Sequence, residues 1–419
     1  MATNNSVFKT AQYNLRQTAE RIGLEDDVLQ KIAIPKEKIE QRLTPLLSNG
    51  KLANIESYIV RHNDTLGPSK GGIRMTSTVS MEEVVGLSME MTWKTSLIGV
   101  PFGGGKSGIR FAPETVSPID KEVIIRSFAR SAKRHFGPEL YIPAPDMGTN
   151  ETDMGHIRDC ISYSEGTSIT RGCFVTGKPI ILGGIPGRRQ ATGRGVVYTT
   201  LAACKKLGLD MNGLKVTIQG FGNVGSEAAI EFSNQGAKII AVSDVSGMLY
   251  NDKGLNVSSL YEYSKNNYGH IHGFREAESV PPEEIFGVVC DCFVPAAAGS
   301  QITGANVSKI MARLISEGAN APTTPEADEV LNDKGIFVIP DILCNSGGVF
   351  VSYLEYIQET QHEQMTESQV TTRLHEKMIS CFDEVYSYTK NKKTTMRKAS
   401  MDIAVGRVVN GIRARGLLP

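Results

Sequence analysis

The residues best suited to chemistry in this chain are lysines set among glycines. In Val100-Pro101-Phe102-Gly103-Gly104-Gly105-Lys106-Ser107-Gly108-Ile109 a single amine is flanked by glycines and then by apolar residues. Backbone without Cβ lets a ligand approach closely, and apolar flanks exclude water, which disfavours the ammonium form and lowers its pKa. A second lysine, Lys70, lies in Gly67-Pro68-Ser69-Lys70-Gly71-Gly72-Ile73-Arg74, and a third, Lys94, follows the only tryptophan, Trp93. Taken alone, residues 103–108 read equally as a flexible surface loop. A phosphate-binding P-loop is a sharper rival, because Gly105-Lys106-Ser107 matches its end. The spacing fails, since the first glycine would fall on Val100, and residues 109–113 continue as an extended segment rather than a helix.

Asp146 is the next candidate. Pro143 and Pro145 fix the backbone ahead of it and Gly148 follows. By itself this is a turn or a helix cap. With three lysines in the same half of the chain, an anionic partner is the better reading.

A different chemistry is written into residues 214–225. A short apolar strand runs into Gly220-Phe221-Gly222-Asn223-Val224-Gly225, a helix-compatible run follows, and a second strand, 238–243, ends in Asp244. Strand, G-x-G-x-x-G and helix together form a dinucleotide site, with the pyrophosphate on the helix N-terminus and an acid about 20 residues on to accept from the ribose hydroxyl. Asp244 would repel a 2′-phosphate, so NAD is favoured over NADP.

These groups need two domains to hold them, and the chain's 419 residues are enough for that. Residues 7–47 read as two helices, 51–63 as a strand, and Ser80 with Glu83 as a capping box opening a helix to about 97. A further helix covers about 121–136. The glycine- and proline-rich stretch 172–195 marks the domain boundary. Beyond it a helix at 196–206 and strands at 286–294 and 335–340 continue a β/α alternation; Thr324 with Pro325 caps a helix, and long helices cover 353–389 and 401–415. The fold class is therefore α/β, with a substrate-binding and oligomerisation domain over 1–185 and a Rossmann-like domain over 186–394. The last helix, about 395–419, is expected to pack back on the first domain. Balanced charge, with 45 basic and 45 acidic residues, gives no reason to expect a nucleic-acid or membrane partner. Seven scattered cysteines and a lone His270-x-His272 argue against a disulfide framework or a metal site. The polar N-terminus and the lack of a long apolar run point to a soluble, cytoplasmic protein.

Taken in order, these motifs resemble the glutamate dehydrogenases of the hexameric amino-acid dehydrogenase family. The likeness runs from about residue 51 to the C-terminus on Gly67 to Arg74, Met91-Thr92-Trp93-Lys94, Pro101 to Gly108, Pro143-Ala144-Pro145-Asp146-Met147-Gly148-Thr149, Gly220 to Gly225, and Asn345-Ser346-Gly347-Gly348-Val349. The first fifty residues carry no such signature. The resemblance implies Lys106 as the catalytic lysine, Asp146 as its acid/base partner, Lys94 on the substrate α-carboxylate, and Lys70 with Ser346 on the γ-carboxylate. It implies Thr192 and Asn223 as cofactor contacts, Gly220, Gly222, Val224, Gly225 and Asp244 framing the cofactor, and Asn320 near the nicotinamide ribose or carboxamide. It further implies an active-site cleft between the domains and a homohexamer built through the first. The reaction implied is the reversible deamination of glutamate to 2-oxoglutarate and ammonium with NAD or NADP. A buried unpaired Lys70 would cost several kcal/mol beside an apolar substrate, which favours glutamate over leucine or phenylalanine. The alternatives are a dehydrogenase of the same fold for another amino acid and a non-catalytic dinucleotide-binding regulator. Ser107 stands where the family usually has glycine, Leu66 where arginine is common and Met75 where an aromatic is common; none removes a proposed catalytic group.

Overall fold

The computed structural model describes residues 7–166 and 172–416. Of the polar N-terminal stretch noted above, residues 1–6 lie outside the described residues. The chain forms two compact units. One takes the described residues up to Pro186 together with Val349–Val370 and those from Met401 on; the other takes Gly187–Gly348 and Thr371–Ser400. Residues 349–370, read from sequence as part of the second domain, thus cluster with the first unit. Their aromatic residues explain it, since Tyr353 and Tyr356 pack edge-on against Phe102 at 5.7 and 5.2 Å.

The first unit runs α1 (Val7–Ile22), α2 (Asp26–Ala33), β1 (Glu37–Leu43), β2 (Ile55–Asn63), β3 (Ser69–Thr76), α3 (Met81–Ile98), β4 (Gly103–Arg110), α4 (Pro118–Ala132), β5 (Tyr141–Pro145) and α5 (Glu151–Glu165). Its sheet has the order β1-β2-β4-β3-β5. Strand β1 corrects the helical reading of residues 7–47. Its Glu, Lys and Gln favour helix locally, but pairing with β2, Ile39 opposite Ile59, decides the conformation. On one face of the sheet Ile59, Ile73 and Ile109 pack with Ile124 and Phe128 of α4 and Met154 and Ile157 of α5.

α3 covers the other face, and this accounts for the glycines of β4. Residues 103–108 are a buried strand rather than a loop. A Cβ on Gly104 would run into Thr92 and the Ser88 carbonyl of α3, and one on Gly105 would lie 2.8 Å from the Tyr141 ring. Glycine here permits close approach from both sides, not flexibility. Ser80 Oγ caps α3 by accepting from Glu83 N at 3.3 Å. The expected capping box is not completed, because Glu83 Oε1 accepts instead from Arg74.

The second unit begins with α6 (Ala191–Leu207), β6 (Lys215–Gln219), α7 (Asn223–Asn234), β7 (Lys238–Asp244), β8 (Gly247–Tyr250), α8 (Val257–Asn266) and β9 (Glu278–Val280). It continues with β10 (Cys292–Pro295), β11 (Leu314–Ser316), α9 (Pro325–Asp333), β12 (Phe337–Ile339) and α10 (Asp341–Cys344). The sheet order is β12-β11-β10-β6-β7-β8-β9. From β12 to β7 the strands are parallel, and β8 and β9 are added antiparallel. The chain direction across the sheet reverses between β6 and β10, and open α/β sheets bind ligands at such a switch point.

Three local readings are corrected here. Residues 286–294 form only the short β10, because Pro282 starts a 3-10 turn over Pro282–Gly287. Thr324 precedes α9, but its hydroxyl makes no cap bond. The long helix at 353–389 is two helices, α11 (Gly347–Gln361) and α12 (Glu367–Lys392). The break was readable without glycine or proline: Thr366 and Gln369 form a reciprocal cap, each backbone N–H donating to the other's side chain at 2.8 and 3.3 Å.

The last helix, α13 (Met396–Arg415), buries Val405, Val408 and Ile412 from Met401 on. Arg407 donates to the Ser96 and Leu97 carbonyls at 2.8 and 2.6 Å, satisfying acceptors at the end of α3, while Arg21 of α1 pairs with Asp402 at 2.6 Å.

Candidate active site

Strand alternation places Lys70, Gly72 and Arg74 on one face of β3, the face that α3 covers. Ile73 stands opposite both Ser107 of β4 and Pro145 of β5, so Lys106 and Asp146 converge beside Gly72. Lys106 Nζ donates to Asp146 Oδ2. Gly72 makes this possible, since a Cβ there would lie 2.7 Å from Asp146 Cβ. The Lys106 side chain is 4% exposed and that of Asp146 16%. Asp146 is no helix cap: Asn150 caps α5 in a reciprocal box with Asp153.

Arg74, to which the sequence reading gave no role, completes the cluster. Its Nε and Nη2 both lie 3.3 Å from Asp146 Oδ1, and its Nη1 donates to Glu83 Oε1 at 2.5 Å. The signal was the alternation itself, because Arg74 is on the same strand face as Lys70. Burial lowers the Lys106 pKa; Asp146 opposes this and Arg74 reinforces it, and the net direction is down. Burial alone would raise Asp146, but the Lys106 and Arg74 charges outweigh it and hold the carboxyl well below the usual range. The site therefore pairs a firmly ionised carboxylate with an amine eased toward neutrality.

Lys70 and Lys94 are buried, Lys70 on this face of β3 and Lys94 in α3. Below the sheet, Ser107 Oγ donates to Tyr141 OH at 2.9 Å, and that hydroxyl donates to Gly71 O at 3.3 Å. Ser107, a departure from the family pattern, thus ties β4 to β3 through Tyr141 of β5, at the residues next to Lys106 and Lys70. Met75 is simply core, and Leu66 packs near Gly411 of α13.

In the second unit the glycine turn has the form a dinucleotide needs. Gly220 has φ +95°, and a Cβ on it would sit 2.8 Å from the Ala296 and Ala297 backbone. Gly225 packs against the Gly220 carbonyl, whereas a Cβ on Gly222, the N-cap of α7, would meet nothing within 4 Å. The open space lies at the helix N-terminus formed by Asn223 and Val224, where a pyrophosphate would be held. Thr192 lies in the first turn of α6 with its Oγ1 against Gly348. Asn345 Nδ2 donates to the Gly318 and Ala319 carbonyls at 3.2 Å and to Asn320 Oδ1 at 3.0 Å, fixing the Asn320 side chain, a role the sequence did not signal. Ser346 Oγ gives its proton to Leu343 O at 2.7 Å. Asp244 Oδ1 accepts from Ser246 N, Ser246 Oγ and Gly247 N, and Oδ2 accepts from Ile271 N at 3.0 Å. This carboxylate builds its own turn and keeps spare acceptor capacity on Oδ2 alone.

A doubly wound sheet with a glycine turn at its switch point defines a dinucleotide-binding α/β protein. The chain belongs to the Glutamate/Leucine/Phenylalanine/Valine dehydrogenase family, whose model matches residues 183–416, with the Glu/Leu/Phe/Val dehydrogenase dimerisation domain matching 35–163. It is 37% identical to the NAD-specific glutamate dehydrogenase of Staphylococcus aureus over 416 residues, 99% of this chain and all of that one. It is 38% identical to the glutamate dehydrogenase of Thermotoga maritima over 99% of each. Among solved structures it is similar to the hetero-hexameric glutamate dehydrogenase of Thermus thermophilus in its Leu-bound form, with TM-score 0.94 and 29% identity, covering 100% of this chain and 99% of that one. It is also similar to the Peptoniphilus asaccharolyticus glutamate dehydrogenase, with TM-score 0.85 and 32% identity, covering 99% and 100%.

Proposed function

We propose that this chain catalyses the reversible oxidative deamination of L-glutamate to 2-oxoglutarate and ammonium, with NAD as the preferred cofactor. The observation that carries the reading is the Lys106–Asp146 pair on a sheet face that also holds Lys70 and is covered by α3, the helix carrying Lys94. Lys94 takes the α-carboxylate and Lys70 the γ-carboxylate, toward which Ser346 would turn its hydroxyl from the Leu343 carbonyl, so the substrate is oriented before reaction. NAD, held by Thr192, Gly220, Gly222, Asn223, Val224, Gly225 and Asn320, with Asp244 Oδ2 toward a ribose hydroxyl, supplies the hydride acceptor when bound. Lys106 then takes the proton of the water that attacks the oxidised α-carbon, and Asp146 Oδ2, bonded to Lys106 Nζ, relays that proton from Lys106 to the departing amine. To act near pH 7, Lys106 must lose about 3–4 kcal/mol of its preference for the ammonium form. Burial and the Arg74 charge supply the required direction. We further propose a cytoplasmic homohexamer assembled through the first domain.

The test is direct: mix the protein with glutamate and NAD, or NADP, and follow reduced nicotinamide by its near-ultraviolet absorbance. Faster reduction with NAD is expected. No signal with either cofactor overturns the reading.

A further inference from the structure

Arg74 enters the mechanism above only through its charge and Glu83 not at all, yet together they complete an unbroken chain of alternating charges. Glu83 Oε1 accepts from Arg74 Nη1 at 2.5 Å, Arg74 Nε and Nη2 reach Asp146 Oδ1 at 3.3 Å, and Asp146 Oδ2 accepts from Lys106. Oδ1 also accepts from Met147 N at 2.6 Å. We propose that Glu83 and Arg74 are positioning residues that give the two Asp146 oxygens different tasks, Oδ1 to structure and Oδ2 alone to proton exchange with Lys106. This rests on the assignment of Lys106 and Asp146 to catalysis.

The geometry leaves the carboxylate little choice. Three donors fill Oδ1, so turning the group to exchange its oxygens would break all three bonds. The guanidinium is a planar fork, and gripping it from the far side through Nη1 sets the plane in which Nε and Nη2 meet Asp146. Glu83 is itself fixed, standing in the first turn of α3 with its N–H on Ser80 Oγ, where a carboxylate also suits the helix dipole. The other ionisable groups near the pair are the Tyr141 phenol, across the sheet and kept protonated by burial, and the buried Lys70 and Lys94 on the side of the pair. Within this set Arg74 and Glu83 act on Lys106 with opposite sign, Arg74 disfavouring the ammonium and Glu83 favouring it.

Opposite signs give a test that a merely structural role cannot mimic. The full-length protein and its Arg74→Gln, Arg74→Lys and Glu83→Gln variants are exposed to cyanate across a pH series. Carbamylation at Lys106 is read by peptide mass spectrometry, which needs no turnover. The midpoint is expected to move up in Arg74→Gln and down in Glu83→Gln, each by about 0.5–1 pH unit, and to stay in place in Arg74→Lys. With glutamate and NAD, kcat should fall about 10- to 100-fold in both Arg74 variants, because lysine keeps the charge but loses the fork, while the glutamate KM changes less than about threefold. Glu83→Gln keeps the size and an acceptor oxygen, so its downward shift decides the matter if an Arg74 variant does not fold. Midpoints that move together, or not at all, overturn the proposal. A wild-type protein that does not turn over glutamate sinks the proposed function instead, and the labelling midpoints still judge the relay.

Discussion

Lys106 is tuned by what its neighbours lack as much as by what they carry. Gly72 leaves the space Asp146 fills, so Gly72→Ala should lower kcat by about 100-fold or more through displacement of that carboxylate, with the melting temperature changed far less; an active Gly72→Ala enzyme would show that the pair tolerates the shift. Lys70→Leu separates substrates. Activity on glutamate should drop by at least ~100-fold while activity on norvaline falls little, since only glutamate presents a γ-carboxylate; equal losses would remove Lys70 from that role. His62 offers a third reading. It is fully enclosed, bonded through Nδ1 to Thr92 Oγ1 at 2.7 Å and edge-on to Trp93, and burial pushes it down to about 4 from 6.5. A histidine whose folded pKa is depressed stabilises the fold above 6.5, and that contribution is lost as pH falls from 6.5 toward 4. The loss should amount to roughly 3 kcal/mol, read as a fall in denaturation midpoint between pH 7 and 4.5 that flattens in His62→Gln.

At the scale of elements, α3 does most of the positioning. It carries Lys94, its first turn holds Glu83, its middle lies on the glycines of β4, and its last carbonyls are gripped by Arg407 of α13. Losing that grip removes two hydrogen bonds from a charged donor, so Arg407→Ala should cost about 1.5–3 kcal/mol and lower the melting temperature without moving the pH dependence of turnover; an unchanged melting curve would mean water or a neighbour replaces the guanidinium. What sequence made legible at this scale follows local chemistry. Ser80 and the Gly220 turn announce themselves by residues whose effects act within a few positions. β1 was hidden because its residues favour helix and only the partner strand overrules them. β4 was hidden because a run of glycines looks the same whether it is loose or clamped.

For the whole molecule, order along the chain was easier to read than membership. The doubly wound alternation and the glycine turn could be followed from residue to residue, whereas the inclusion of Val349–Val370 in the first unit depends on aromatic contacts made across more than half the sequence. The site divides in the same way. Lys70, Lys106 and Asp146 stand in glycine- or proline-marked motifs, and Lys94 follows the single tryptophan. Arg74 and Asn345 act through Asp146 and Asn320, 72 and 25 residues away, and Glu83, read as a capping residue, turns out to hold Arg74 instead, so none of the three showed its work locally.

The clamped strand also has a consequence for descent. Gly71, Gly104 and Gly105 face backbone, a helix and an aromatic ring at distances that no side chain survives, while Gly222 faces open space. A lineage carrying this chain can drift at 222 as its ligand allows, but at 71, 104 and 105 nearly every missense change is a dead end. The amine's usefulness is therefore kept by codons that specify almost nothing at all, and a saturation library of this gene should show its sharpest intolerance where the side chain is a single hydrogen.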